Sequence, residues 1–193
     1  MTLKLNGSSG SVSIDPPTNT AGGADRTLTL PDANGTVALT STAGKILQVI
    51  STKSTAVDFS TNGESMVEYP ALNTAITPSS ASNKILILVS LSLGTGGTNG
   101  NFGMSLYDGS SAISDSINSN VTTNTSVSYF IASTVIVKQL NFNYLWSPNT
   151  TSEKTVKVYV MGDGSSKTLY LNRYGASAGR GGQSSMTLME VAG

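Results

Sequence analysis

KILILVSLSLG, residues 84–94, sets an apolar side chain on every second position: Ile85, Ile87, Val89, Leu91 and Leu93. Side chains on a strand alternate between its two faces, so a period of two marks a β-strand with one face in a core. Leu86 and Leu88 add apolar residues to the opposite face before Ser90 and Ser92 replace them. A central strand buried on both sides at its start is therefore expected. The same alternation recurs outward from this stretch. Phe102, Met104 and Leu106 alternate before Asp108-Gly109, and further strands are expected over 127–136, 139–145, 155–161, 168–172 and 186–191. On the N-terminal side, strands are expected over 45–52, 54–60, 65–69 and 72–77. Asn-Gly, Asp-Gly and the SPNTTS stretch (147–152) punctuate these runs with turn chemistry. No segment holds a 3.6-residue period. Eight to ten strands with turn signals about every ten residues read as an all-β sandwich, jelly roll or barrel with minimal helix.

Composition narrows the function classes. Of 193 residues, 11% are charged, with eleven basic against eleven acidic, well below the usual ~25%. Ser, Thr, Asn and Gly together supply roughly 45% of the chain. A neutral surface of short hydroxyl and amide groups lacks the charge repulsion that keeps proteins apart, so it suits a subunit of an assembly. The chain has no Cys and no His, which excludes disulfides, thiol nucleophiles, Cys or His metal ligation and His-based acid–base chemistry. The charge balance offers no footprint for nucleic acid or an anionic membrane. The polar opening MTLKLNGSSG has no apolar run of a secretion signal, and Ile85–Val89 is far too short to span a bilayer.

The first forty residues differ from the rest. RTLTLPDANGTVALT (26–40) reads as a hairpin turning at Pro31–Gly35, and no aromatic residue precedes Phe59. A lone hairpin is marginal in water and needs a partner surface. Residues 1–44, ending in the short linker STAGK (41–45), are accordingly read as an attachment segment. Residues 45–193 are read as a globular head.

MTLKLNGSSGSVSIDPP and ADRTLTLPDANGTVALT resemble the short β-segment that opens many marine and cyanobacterial bacteriophage fibre and virion proteins. ITPSSASNKILILVSLS (76–92), FNYLWSPNTTSEKTVKVYV (142–160), TLYLNR (168–173) and the terminal SMTLMEVA are similar to the C-terminal heads of such proteins. The resemblance implies an antiparallel jelly-roll-like β-sandwich that forms a homotrimer. It also implies a virion location, with attachment to other virion proteins through residues 1–44. The expected role is a non-enzymatic tail-fibre or receptor-binding subunit, the alternative being a capsid decoration or head-fibre protein without a specific ligand. No cofactor is expected, and the receptor would be a host surface glycan or protein.

Trp146 at a strand end, Arg173 and Tyr174 at the start of a Gly-rich loop, and Arg180 within it are the candidate receptor contacts. Trp, Tyr and Arg dominate binding hot spots, and aromatics stack on sugar rings. The plainer reading of Trp146, packing in the core or at a subunit contact, is preferred. Glu64 and Glu68 are the only close glutamate pair, but four positions along a strand separate them by about 13 Å. That is wider than the ~5–10 Å between the carboxylates of a glycosidase. Asp108-Gly-Ser-Ser and Asp163-Gly-Ser-Ser read as hairpin turns rather than calcium loops.

Overall fold

The computed structural model describes residues 3–7, 10–14, 44–96, 100–113, 127–131, 137–162, 168–175 and 181–193. The chain divides into two compact units, Met1–Leu39 and Thr40–Gly193. Within the first, β1 (Leu3–Gly7) and β2 (Gly10–Ile14) pair antiparallel, Leu5 opposite Val12 and Gly7 opposite Gly10. Asn6-Gly7 thus belongs to a strand. The hairpin expected at Pro31–Gly35 lies outside the described residues.

The second unit holds twelve strands among the described residues. They are β3 (Ile46–Ser54), β4 (Ser60–Thr61), β5 (Val67–Glu68), β6 (Thr74–Ile76), β7 (Lys84–Gly96), β8 (Gly100–Asp108), β9 (Ser111–Ala112), β10 (Val127–Ile131), β11 (Val137–Trp146), β12 (Lys154–Met161), β13 (Thr168–Leu171) and β14 (Ser184–Val191). All pairings are antiparallel. One sheet runs β3–β14–β7–β11, with β13 continuing the β14 side of β7 and β4 paired to β13. The other runs β6–β12–β8–β10, with β5 beside β6 along β12 and β9 folded back on β8. The chain crosses between the sheets at nearly every connection. Counting the eight principal strands in chain order, the sheets read first–eighth–third–sixth and second–seventh–fourth–fifth. That order is the jelly roll, two Greek keys wrapped into a sandwich.

Period-two patterning builds the core. Ile85, Ile87, Val89, Leu91 and Leu93 of β7, Leu140 and Trp146 of β11, and Met186 and Leu188 of β14 line one inner face. Phe102, Met104 and Leu106 of β8 and Val156, Val158 and Val160 of β12 line the other. Burying each Val, Leu, Ile, Phe or Met side chain stabilises the fold by about 1.5–3 kcal/mol. The only helix among the described residues is a single 3-10 turn, Pro70–Leu72.

Several sequence expectations need correction. The strand expected over 54–60 is confined to Ser60–Thr61, because Ser54 Oγ accepts the Ala56 amide at 3.2 Å and turns the chain out of β3. The strands expected over 65–69 and 72–77 shrink to β5 and β6 on either side of the turn at Pro70. The linker STAGK joins the head at its end: Gly44 N donates to Ala192 O, and Ala192 N donates to Lys45 O, both at 2.9 Å. The start of β7 is buried on one side only. Leu86 is half-buried and Leu88 is 36% exposed, since no described segment covers that face. Ser92, on the same face as Leu86 and Leu88, is fully buried beneath Gly182, where an added Cβ would lie 2.3 Å from Ser92 Oγ.

Candidate interaction surface

Trp146 closes β11 opposite Ile85 and is 9% exposed, packed in the core. Arg173 follows β13 and lays its guanidinium over the Tyr170 ring, 4.1 Å from the centroid. Its carbonyl sits against Gly94, where an added Cβ would come within 1.8 Å. Tyr174 beside it is half-buried. Trp146 lies at the Ile85 end of β7 and Arg173 at the Gly94 end. Nine residues of strand between them amount to about 30 Å. The structure therefore does not bring these candidates together, and Arg180 lies outside the described residues.

The other sequence candidates have structural partners. Glu68 accepts from Asn73 Nδ2 at 2.7 Å, Lys157 Nζ at 3.0 Å and Tyr159 Oη at 3.1 Å. The Asn73 bond first, then the Lys157 bond, hold its carboxyl below the usual value. Tyr159 stacks on Tyr107 with ring centroids 3.8 Å apart. Glu64 is exposed and belongs to no such cluster. Asp108 pairs with Lys154 at 2.7 Å beside Gly109, whose φ of +62° makes the tight β8–β9 turn. Asp163 lies outside the described residues. No three Asp or Glu side chains come together among the described residues.

Two buried polar hubs brace the sandwich. Asn172, with a φ of +59°, donates through Nδ2 to Ser54 O, Ala56 O and Tyr69 Oη, each at 3.0 Å. Its Oδ1 accepts from Ser184 Oγ at 2.6 Å. Glu190 is 1% exposed and accepts from Asn83 Nδ2 and Gln48 Nε2 at 2.6 Å, and from Ser79 N and Oγ at 2.7 Å. Burial raises its pKa, but the Asn83, Gln48 and Ser79 bonds outweigh that and bring it down to about 2.

The surface that no partner explains is the outer face of the β3–β14–β7–β11 sheet. Strand register aligns Val49, Met189, Leu86 and Leu145 in one row across it. Val49 is 56% exposed and Leu145 47%. Leu47 and Ile46, both exposed, extend the row along β3. An apolar band on an outer sheet face, where polar residues normally alternate with the core, is what interaction sites expose. Beyond Leu88 the face turns polar, through rows Ser51–Thr187–Leu88–Asn143 and Lys53–Ser185–Ser90–Asn141. There a depression of about 250 Å³ is lined by Leu88, Ser90, Asn141, Asn143, Ser185 and Thr187 together with Val89 and Phe142.

Sequence reasoning missed this face. Its signal was present in the second set of strand positions, where Val49, Leu86, Leu145 and Met189 break the polar-out rule.

No protein-family model matches the chain, and no curated protein matches it. Among solved structures, the chain is similar to the VP2 subviral particle of infectious bursal disease virus, at 14% identity and a TM-score of 0.38, covering 95% of this chain and 47% of that one. It is similar to the structure of the Gx strain of that virus at 15% identity and a TM-score of 0.33, covering 95% and 46%. It is also similar to the D431N mutant VP2 in derived T=1 particles, at 12% identity and a TM-score of 0.31, covering 99% and 44%. The chain spans just under half the length of the solved chains it matches. The jelly roll rests on the strand pairings themselves.

Proposed function

We propose that this chain is a non-enzymatic structural subunit of a virus particle, a tail-fibre or receptor-binding head that works as a homotrimer anchored through residues 1–44. The observation that carries this reading is the apolar band from Val49 to Leu145 on a nearly uncharged jelly roll. A free monomer would expose that band to water, and a subunit in an assembly buries it. The resemblance of the opening β-segment and the head to bacteriophage fibre and virion proteins gives the assembly its kind. Adhesion through three identical heads gains strength by avidity without a strong single site.

Two measurements test the reading. Sedimentation of the purified chain is expected to give a trimer, and a 19.8 kDa monomer would sink the assembly. Fluorescently labelled protein is expected to adsorb to host cells, with an antibody against the head marking tail fibres on the particle. Unlabelled cells together with antibody on the shell would make the chain a capsid decoration protein instead. Removal of residues 1–40 is expected to leave a folded head that no longer joins particles.

A further inference from the structure

The polar half of the outer face of the β3–β14–β7–β11 sheet offers hydrogen-bonding groups around an apolar floor. Gln139 Nε2 donates to Ser90 Oγ at 2.6 Å, and Ser90 Oγ donates to Asn141 Oδ1 at 2.7 Å. That relay fixes the Asn141 amide and leaves its Nδ2 without an acceptor among the described residues. The Asn143 amide and the Ser185 hydroxyl likewise have no side-chain partner among the described residues. Thr187 Oγ1 shares a 3.0 Å bond with Ser51 Oγ. Leu88, 36% exposed, forms the apolar part of the depression.

The lining residues carry amides, hydroxyls and the apolar side chains of Leu88, Val89 and Phe142, and none is charged. Lys53 is the one charge in the row that carries Ser185, Ser90 and Asn141, and it stands at the β3 end of that row without lining the depression. A charged ligand would lose its hydration here without a counter-charge in the lining. A hydroxyl group both donates and accepts, so it matches a rim that presents amide N–H, amide oxygen and serine hydroxyl together. A sugar ring adds a C–H face that Leu88 can cover. At about 250 Å³ the depression lies below the roughly 300–1,000 Å³ of drug-sized sites, which suits one ring of a longer chain.

We propose that this depression is a binding subsite for one uncharged hexose ring of a neutral polysaccharide. Asn143 bridges adjacent hydroxyls through its amide, Asn141 Nδ2 donates to the third free hydroxyl of a mid-chain ring, Ser185 donates to the ring oxygen, and Leu88 packs on the C–H face. This deepens the receptor-binding reading and rests on it for its biological role. The individual site is shallow and weak, and presentation in several copies supplies the avidity.

The test measures retention of the labelled full chain on immobilised dextran, mannan and galactan, with alginate as the acidic counterpart. The variants are Asn143→Ala combined with Ser185→Ala, and separately Asn143→Lys; Glu64→Ala, at an exposed position outside this sheet, is the control. Wild type is expected to be retained by at least one neutral polymer. Loss of the three ligand bonds made by Asn143 and Ser185 is expected to weaken retention about tenfold or more in the double variant, with the control unchanged and unfolding midpoints preserved. Equal retention of the variants, retention on alginate alone, or no retention on any neutral polymer would overturn the site. Adsorption to host cells separates the two readings. Variants that adsorb as wild type does remove this site and leave the receptor-binding role standing. A wild type that ignores cells, yet loses polymer retention on mutation, removes that role and keeps the site.

Discussion

Glu190 is a carboxylate with almost no access to water and no salt-bridge partner among the described residues, held ionised by four neutral donors from three residues. With a folded pKa of about 2 against an ordinary 4.5, the unfolded chain binds the extra proton between those values. Its stabilisation is complete above pH 4.5 and is lost as pH falls toward 2. The full effect is about 3 kcal/mol. Urea unfolding across pH 2–7 should show Glu190→Gln less stable than wild type at neutral pH, with the gap closing in acid; a gap independent of pH would refute the ionised hub. At Asn172 the side chain and the backbone make separate demands. Asn172→Ala loses the bonds to Ser54, Ala56 and Tyr69 and also strains a positive φ, for a cost of about 3 kcal/mol. Asn172→Gly relieves the strain and should recover about 1 kcal/mol of it in the same unfolding assay. Neither role was legible in sequence. A glutamate near the C-terminus of a strand and an asparagine after TLYL look like ordinary polar residues until partners more than a hundred positions away arrive.

Among the elements, β11 illustrates how alternation allocates residues that spacing alone leaves ambiguous. Leu140 and Trp146 point into the sandwich, Phe142 and Tyr144 pack half-buried against it, and Leu145 faces outward. Trp146 sits at the strand end, as its position before SPNTTS implied, yet the ring fills core volume. Trp146→Ala is expected to lower stability by about 3–5 kcal/mol, read by denaturant midpoint. A folded, equally stable variant that lost only cell adsorption would return Trp146 to a contact role. The turns were legible where a backbone requirement forced the residue type, as at Asp108-Gly109. They were not legible at Ser54–Ala56, where one serine hydroxyl ends a strand without Gly or Pro.

For the whole molecule, the apolar band makes a prediction about association. Val49→Ser with Leu145→Ser removes two exposed apolar residues at opposite ends of one row, both outside the core. Sedimentation is expected to shift toward monomer while the unfolding midpoint holds; an unchanged oligomer would place the subunit contact elsewhere. Local chemistry written along the chain sufficed for the all-β class, the strand at 84–94 and the inward set on β7 and β8. Period-two burial and turn propensity act between residues a few positions apart, so they leave their mark in the order of letters. Strand order is different. The pairing of β14 between β3 and β7, the apolar row that this pairing assembles, and the four donors gathered on Glu190 join segments distant in the chain. Packing of the two sheets chose those neighbours, and no local pattern encodes them.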